Sequence, residues 1–362
     1  MARPEVLAAT RLMRQGNLAD ATTLLQRAVR NPSARVVTES HIETPSGAAP
    51  APKSPSGAET PVLPIPLRKA GGHRVEPGAF LTHSYAGNGG RRDYKLYIPS
   101  GYRGESSPLI VMLHGCTQSA DDFAAGTRMN AVAQEHGCLV AYPIQSTAAN
   151  HSKCWNWFNR RDQQRDRGEP SLIVGIVHQI ARSHCVDPRR IYVAGLSAGG
   201  AAAAVLGGEY PDLFAAIGIH SGLACGVAQD LPSALVAMRG TPSGNGFDAV
   251  GRRPHDSGQR MPTIVFHGDR DTTVHPSNSD RIIASTYPSG LTATTETSIA
   301  PGGRGYTRRS YADEAGREML ELWIVHGAGH AWSGGSTSGS YTDPAGPDAS
   351  REMMRFFLTH AR

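Results

Sequence analysis

A serine hydroxyl is a weak nucleophile unless a base takes its proton and a carboxylate holds that base in place. Residues 191–200 read Ile-Tyr-Val-Ala-Gly-Leu-Ser-Ala-Gly-Gly, and Gly195 to Gly199 fit the pattern G-x-S-x-G. Glycine on either side of Ser197 relieves the crowding of a sharp turn, and such a turn lifts a serine oxygen above a sheet edge. Five residues alone are a weak signal in a chain with 41 glycines. The context carries it, because an apolar strand precedes the turn and an alanine-rich helix follows. The order Ser, then Asp or Glu, then His supplies the partners. His267-Gly268-Asp269-Arg270-Asp271-Thr272-Thr273-Val274 follows one apolar run, and Gly327-Ala328-Gly329-His330-Ala331-Trp332 follows another. Asp271 is the preferred carboxylate over Asp269, since it stands before Thr-Thr-Val, where the chain can bend back. His330, in a loop of small residues, is the preferred base over His326 at a strand end. The charge on a tetrahedral oxygen needs two amides. Ala198 supplies one, and Cys116 in His114-Gly115-Cys116-Thr117-Gln118 is the candidate for the other.

These residues meet only if strands bring them to one edge. Apolar runs at Pro108 to Leu113, Cys138 to Tyr142, Ile191 to Val193, Ala215 to His220, Thr263 to His267 and Leu320 to Val325 read as buried strands. Helical stretches lie between them at Ala120 to Glu135 and Ser171 to Ser183, with a last one at Asp348 to His360. Ala79 to Ala86 and Tyr94 to Ile98, separated by a glycine-rich turn, read as an edge hairpin. Alternation of this kind predicts an α/β fold, a mostly parallel sheet with helices on both faces. Loops at the carboxyl ends of such strands converge, and ligands bind there.

The chain has 362 residues and a net charge of +5, with 39% hydrophobic and 19% charged residues. That composition suits a large core and excludes wholesale disorder. Arg160, Arg161, Arg165 and Arg167 are interleaved with Asp162, Asp166 and Glu169, which reads as a solvated loop rather than a nucleic-acid surface. No apolar run is long enough for a membrane span. Residues 1–30 read as a helical hairpin with one apolar stripe, available for self-association or contact with another partner. Residues 31–77 read as a linker, with eight prolines between Pro32 and Pro66. The catalytic unit is expected over residues 78–362. Residues 1–30 lack the apolar core of an export signal, so a cytoplasmic location is expected. No cofactor and no metal are expected, and the five cysteines contain no C-x-x-C pair.

The His114 to Gln118 segment, Cys154-Trp155-Asn156-Trp157-Phe158, Gly195 to Gly200, His267 to Val274 and Gly329 to Gly335 together resemble the polyhydroxybutyrate depolymerase family of esterases, which is close to feruloyl and acetylxylan esterases. The resemblance runs from about Ala79 to Ala361. It implies an α/β-hydrolase fold and serine esterase chemistry through Ser197, Asp271 and His330, on a polyester, a short-chain ester or a carbohydrate ester. It also makes a polymer granule a candidate partner for the N-terminal hairpin, whose non-enzymatic alternative is a granule-binding role. Trp155, Trp332 and His114 are the candidate substrate-binding residues, while Trp157 reads equally as core or cleft. The segment from Asn150 to Glu169 is expected to cover the same edge. Without an export signal the cysteines are expected to be reduced. The one candidate bridge is Cys116 to Cys154, because both flank the cleft.

Overall fold

The computed structural model describes residues 78–87, 89–240, 260–286 and 290–362. The expected N-terminal hairpin and linker lie outside the described residues. Ten strands form one sheet: β1 (Ala79–Gly87), β2 (Gly90–Ile98), β3 (Ser107–Leu113), β4 (Leu139–Pro143), β5 (Val186–Leu196), β6 (Ala216–His220), β7 (Thr263–Gly268), β8 (Thr292–Ile299), β9 (Gly305–Ala312) and β10 (Glu318–Val325). Their spatial order is β1-β2-β4-β3-β5-β6-β7-β10-β9-β8. The six strands from β4 to β10 in that order are parallel, and antiparallel hairpins close both ends. All seven residues of β3 are buried, as a strand covered on both faces must be.

Helices cover both faces. Gly168–Ser183 (α3), Ala198–Glu209 (α4), Leu231–Met238 (α5) and Ser277–Thr286 (α6) contribute to one apolar cluster. Ala120–Thr127 (α1), Met129–His136 (α2) and Ala349–Leu358 (α7) contribute to the other. Met353, Phe356 and Phe357 of α7 are buried, and Phe357 stacks on Tyr192 of β5 with ring centroids 4.9 Å apart. A short parallel pair, β11 (Trp332–Ser333) with β12 (Thr342–Asp343), lies beyond the main sheet.

Two local readings differ from the structure. The single helix expected over Ala120 to Glu135 is broken at Arg128, whose φ is 54°. The break lets the Arg128 guanidinium donate to the Gly334 carbonyl at 3.0 Å and to Asp348 at 2.9 Å, so tertiary bonds override local helix propensity. The β8–β9 hairpin had no apolar signal in the sequence, because nearly every residue of Thr292–Ile299 is exposed.

Register aligns the strand ends that matter. Leu113 pairs with Gly195, Leu196 with His220, His220 with Phe266, and Val325 with Gly268. The loops that follow β3, β5, β7 and β10 therefore leave from one edge.

Candidate active site

The turn after β5 is tight enough to dictate its own sequence. A Cβ on Gly195 would lie 2.3 Å from the Gly199 carbonyl carbon, and one on Gly199 would lie 2.0 Å from the Leu113 carbonyl oxygen. Only glycine fits either position. Ser197 is held at φ 58° and ψ −118°, with its amide donating to the His220 carbonyl at 2.8 Å. For a residue with a side chain this is strained backbone, of the kind that collects at functional sites. Helix α4 starts at Ala198, so its first amides are free of intrahelical partners.

The loops after β7 and β10 are stitched to one another. The Asp269 amide donates to the Val325 carbonyl at 3.1 Å, and the Arg270 amide to the Ala328 carbonyl at 2.9 Å. This close approach needs Gly268, since a Cβ there would stand 2.4 Å from the Ala328 oxygen. The result is a bond of 2.7 Å from His330 Nδ1 to Asp271 Oδ2. Asp271 Oδ1 accepts the Thr273 and Val274 amides at 2.8 and 2.9 Å. His267, fully buried, donates through Nε2 to the Val274 carbonyl at 2.9 Å and stands 3.5 Å from Asp271 Oδ2. Burial alone pushes the Asp271 carboxyl up. The hydrogen bonds from His267 and His330 outweigh it and hold the group well below the ordinary carboxylate range. Since Nδ1 of His330 donates to the carboxylate, Nε2 is the nitrogen left to accept a proton. The second carboxylate of the loop has separate work. Asp269 pairs with His326 Nδ1 at 3.1 Å and accepts the Gly327 amide at 2.7 Å, which makes it a clasp at the surface.

Ser197 and His330 line one cavity of about 230 Å³, together with Cys116, Ala198, Trp157, Phe158, Leu223, Met238, Val274 and Tyr341. Its walls are mostly apolar and carry no side chain with a fixed charge. A larger hollow of about 580 Å³ opens near Ala215, Pro262 and Met319, at the opposite ends of the strands. The loop carrying Cys116 is clamped. Cys116 and Cys154 form a disulfide, the Thr117 amide donates to the Ser152 carbonyl at 2.7 Å, and the Gly115 amide donates to Gln118 Oε1 at 2.8 Å. Among the described residues the Cys116 amide makes no backbone hydrogen bond. The expectation that all cysteines are reduced is corrected by this bridge, and Cys138, Cys185 and Cys225 are the cysteines outside a disulfide.

Three expected substrate contacts are not at the cavity. Trp155 is 0% exposed, and its Nε1 donates to the His114 carbonyl at 3.1 Å. Trp332 is 1% exposed, packs edge-on against Phe123 and donates from Nε1 to Ser350 Oγ at 3.1 Å. Ser350 Oγ in turn donates to the Thr127 carbonyl at 2.6 Å, so α7 seats the segment that follows His330. His114 is buried, with Nδ1 donating to the Gly115 carbonyl at 2.8 Å and Nε2 accepting the Gln145 amide at 3.1 Å. Both indole rings are packed in the core, and each finds an acceptor for its N–H there. Trp157, which read either way, lines the cavity with Phe158.

Several contributors were not singled out by the sequence. His220, at the end of β6, is sandwiched between Phe266 and Trp332 and accepts the Ser333 amide at 2.9 Å through Nε2. Burial drives its pKa well below the usual histidine value, with the neighbouring His267 and His330 rings adding to this. Glu169 accepts the Asn156 amide at 2.7 Å and the Gln145 side-chain amide, with Arg92 at 3.9 Å, and so holds the loop that bears Trp157. Burial raises Glu169 to about 6, with Asp162 adding to the shift. The reading of Glu169 as part of a solvated loop is corrected here: it is buried, because Asn156, Gln145 and Arg92 all turn toward its carboxylate. No helix among the described residues is long and apolar enough to cross a membrane.

A parallel sheet flanked by helices, with a strained serine after one strand and a bonded Asp–His pair on two later loops, defines an α/β-hydrolase fold. An acetylxylan esterase from Aspergillus awamori shares it, with a TM-score of 0.59 at 18% identity over 77% of this chain and 99% of that one. Residues 92–300 match the family described as Esterase PHB depolymerase, and the chain belongs to that family. It is 32% identical over 252 residues to poly(3-hydroxyalkanoate) depolymerase C of Paucimonas lemoignei, a match that spans 68% of this chain but 60% of the relative. It is 29% identical over 246 residues to feruloyl esterase B of Thermothelomyces thermophilus, spanning 65% of this chain and 82% of the relative.

Proposed function

We propose that the protein is a carboxylic ester hydrolase that works through a covalent acyl-enzyme, acting on hydroxyalkanoate-type or other short-chain esters. Ser197 Oγ attacks the ester carbonyl and His330 Nε2 takes its proton. Asp271 keeps His330 in the correct tautomer and stabilises its charged form. The amides of Cys116 and Ala198 hold the oxyanion. His330 then protonates the leaving alcohol, and a water molecule activated by the same histidine releases the acid. The observation that carries the reading is the 2.7 Å bond between His330 and Asp271, with Ser197 on the same cavity. The uncharged, apolar walls support a neutral acyl group. Trp157 and Phe158, together with the likeness to feruloyl esterase B, favour an aromatic acyl group as a second reading. Contact of residues 1–30 with a polymer granule or with a second copy belongs to the same proposal, and deleting them tests it on granule binding.

The test is Ser197→Ala on a panel of nitrophenyl esters, hydroxybutyrate oligomers, methyl ferulate and acetylated xylan. A loss on the order of 10³-fold or more in kcat is expected from one triad knockout. A fluorophosphonate probe should label the wild type at Ser197 and spare the variant. Activity within tenfold of wild type would refute the assignment, and the best substrate of the panel decides between the two readings.

A further inference from the structure

Tyr341 is a cavity residue that the reaction as proposed does not use. It is 48% exposed, yet it lines the cavity with Ser197 and His330. Its φ is 53°, in the left-handed region that disfavours a side chain. Two other residues of the cavity without a glycine's freedom share this strain, Thr117 at 67° and Ser197 at 58°. Strain persists only where the surroundings over-determine it. Here they do. The Ser340 amide and hydroxyl donate to Asp122 at 2.9 and 2.5 Å, and Gln118 Nε2 donates to the Ser340 carbonyl at 3.1 Å. The Tyr341 carbonyl accepts the Trp332 amide at 2.7 Å. Gln118 also takes the Gly115 amide, so one side chain fixes both the loop of Cys116 and the segment of Tyr341. Among the described residues the ring itself is bound to little. Its hydroxyl lies 3.4 Å from Thr117 Oγ1. The backbone is rigidly placed, while the ring is left available.

The side of the cavity follows from the base. His330 must reach the leaving oxygen to protonate it, so the alcohol departs past His330. The bond from Trp332 ties Tyr341 to a strand that begins two residues beyond that histidine. Leu223, Met238 and Val274 come from the β6 and β7 side instead.

The geometry points to Tyr341 as a specificity-determining residue that packs its ring on the alcohol portion of the ester and selects alcohols with an apolar or ring-bearing body. This rests on the serine hydrolase reading above. The test uses the full chain as wild type, Tyr341→Phe, Tyr341→Ala and Tyr341→Gly. Glycine removes the ring while relieving the backbone, so it guards against a folding failure. Two ester series are compared by kcat/KM. One holds the acyl group constant (ethyl acetate, phenethyl acetate), and the other holds the alcohol constant (ethyl acetate, ethyl 3-phenylpropionate). Loss of one aromatic contact predicts that the phenethyl-to-ethyl ratio falls about tenfold in Ala and Gly, through KM, and less than about twofold in Phe. The acyl ratio should hold. An unmoved alcohol ratio, a shift confined to the acyl ratio, or a Phe variant as impaired as Ala would each overturn the assignment. Ser197→Ala, run alongside on ethyl acetate, separates this from failure of the underlying reading, since retained activity there would indict the serine and not Tyr341.

Discussion

Acidification separates a buried scaffold from a substrate contact at His114. In the neutral ring both nitrogens are occupied, one donating to the Gly115 carbonyl and one accepting the Gln145 amide. Charging the ring places a second N–H against that amide in a fully buried site. Burial therefore lowers the His114 pKa most, the bond to Gly115 opposes it, and the charges of Lys153 and Arg92 add to it, taking the group from 6.5 to about 4. Because the unfolded chain takes up the proton first, stability is intact above pH 6.5 and falls as pH drops toward 4. A gap of two and a half units corresponds to about 3 kcal/mol at full effect, of which about 2 kcal/mol is lost by pH 5. Urea unfolding at pH 7 and pH 5 measures this in wild type and in His114→Asn. The asparagine amide can still donate to Gly115 but does not titrate. At pH 7 the variant should be weaker by about 1–3 kcal/mol, because the Gln145 amide loses its acceptor. Between pH 7 and pH 5 it should lose about 2 kcal/mol less than wild type. Glu169, raised to about 6, works in the opposite sense, adding stability as pH falls from 6 toward 4.5, but it is common to both proteins and cancels. Equal losses in the two proteins would refute the account.

Asp271→Asn should lower kcat on the order of 10³- to 10⁴-fold, as expected when a base loses its orienting carboxylate. Asp269→Asn should instead cost about 1 kcal/mol in urea unfolding and leave kcat within tenfold; the opposite ranking would show that the surface clasp is the working pair. Gly199→Ala should destabilise by about 2–3 kcal/mol and abolish fluorophosphonate labelling, since its Cβ has no room beside Leu113; an unchanged urea midpoint would rule out the tight turn. Thiol titration in denaturant should find three reactive thiols before reduction and five after. Five at the outset would remove the bridge that clamps Cys116, whose loss should cost about 2–4 kcal/mol.

What could be read in advance was what local chemistry determines. G-x-S-x-G between a strand and a helix, a carboxylate before Thr-Thr-Val and a histidine among small residues each carry their constraint within a few positions. The parallel sheet was equally legible, since β3, β4, β6 and β7 are unbroken apolar runs. The directions of Trp155 and Trp332 were not, because an indole fits a cleft or a core equally well. Which it occupies depends on acceptors far along the chain, the His114 carbonyl and Ser350. Likewise the break at Arg128 depends on Gly334 and Asp348, and the positive φ of Tyr341 on Asp122 and Gln118. No window of ten residues contains either pair. The β8–β9 hairpin was hidden for a different reason: a strand exposed on both faces has no hydrophobic period to detect.

The seating of Trp332 by Ser350 sets an order of events during synthesis. Domains form as units while the chain emerges from its N-terminal end. The serine turn at 195–199 leaves the ribosome well before the histidine loop, and the segment after that loop gains the bond from Trp332 to Ser350 only when α7 has been made. The Tyr192 hydroxyl, on the strand that carries the serine, also waits for the His360 carbonyl at 2.8 Å. A nascent chain therefore holds its serine turn before the segment that follows His330 is seated. Products that stop short of α7 should carry the serine turn yet, on the mechanism proposed above, remain inert toward esters, so ester cleavage reports that α7 has been made and seated.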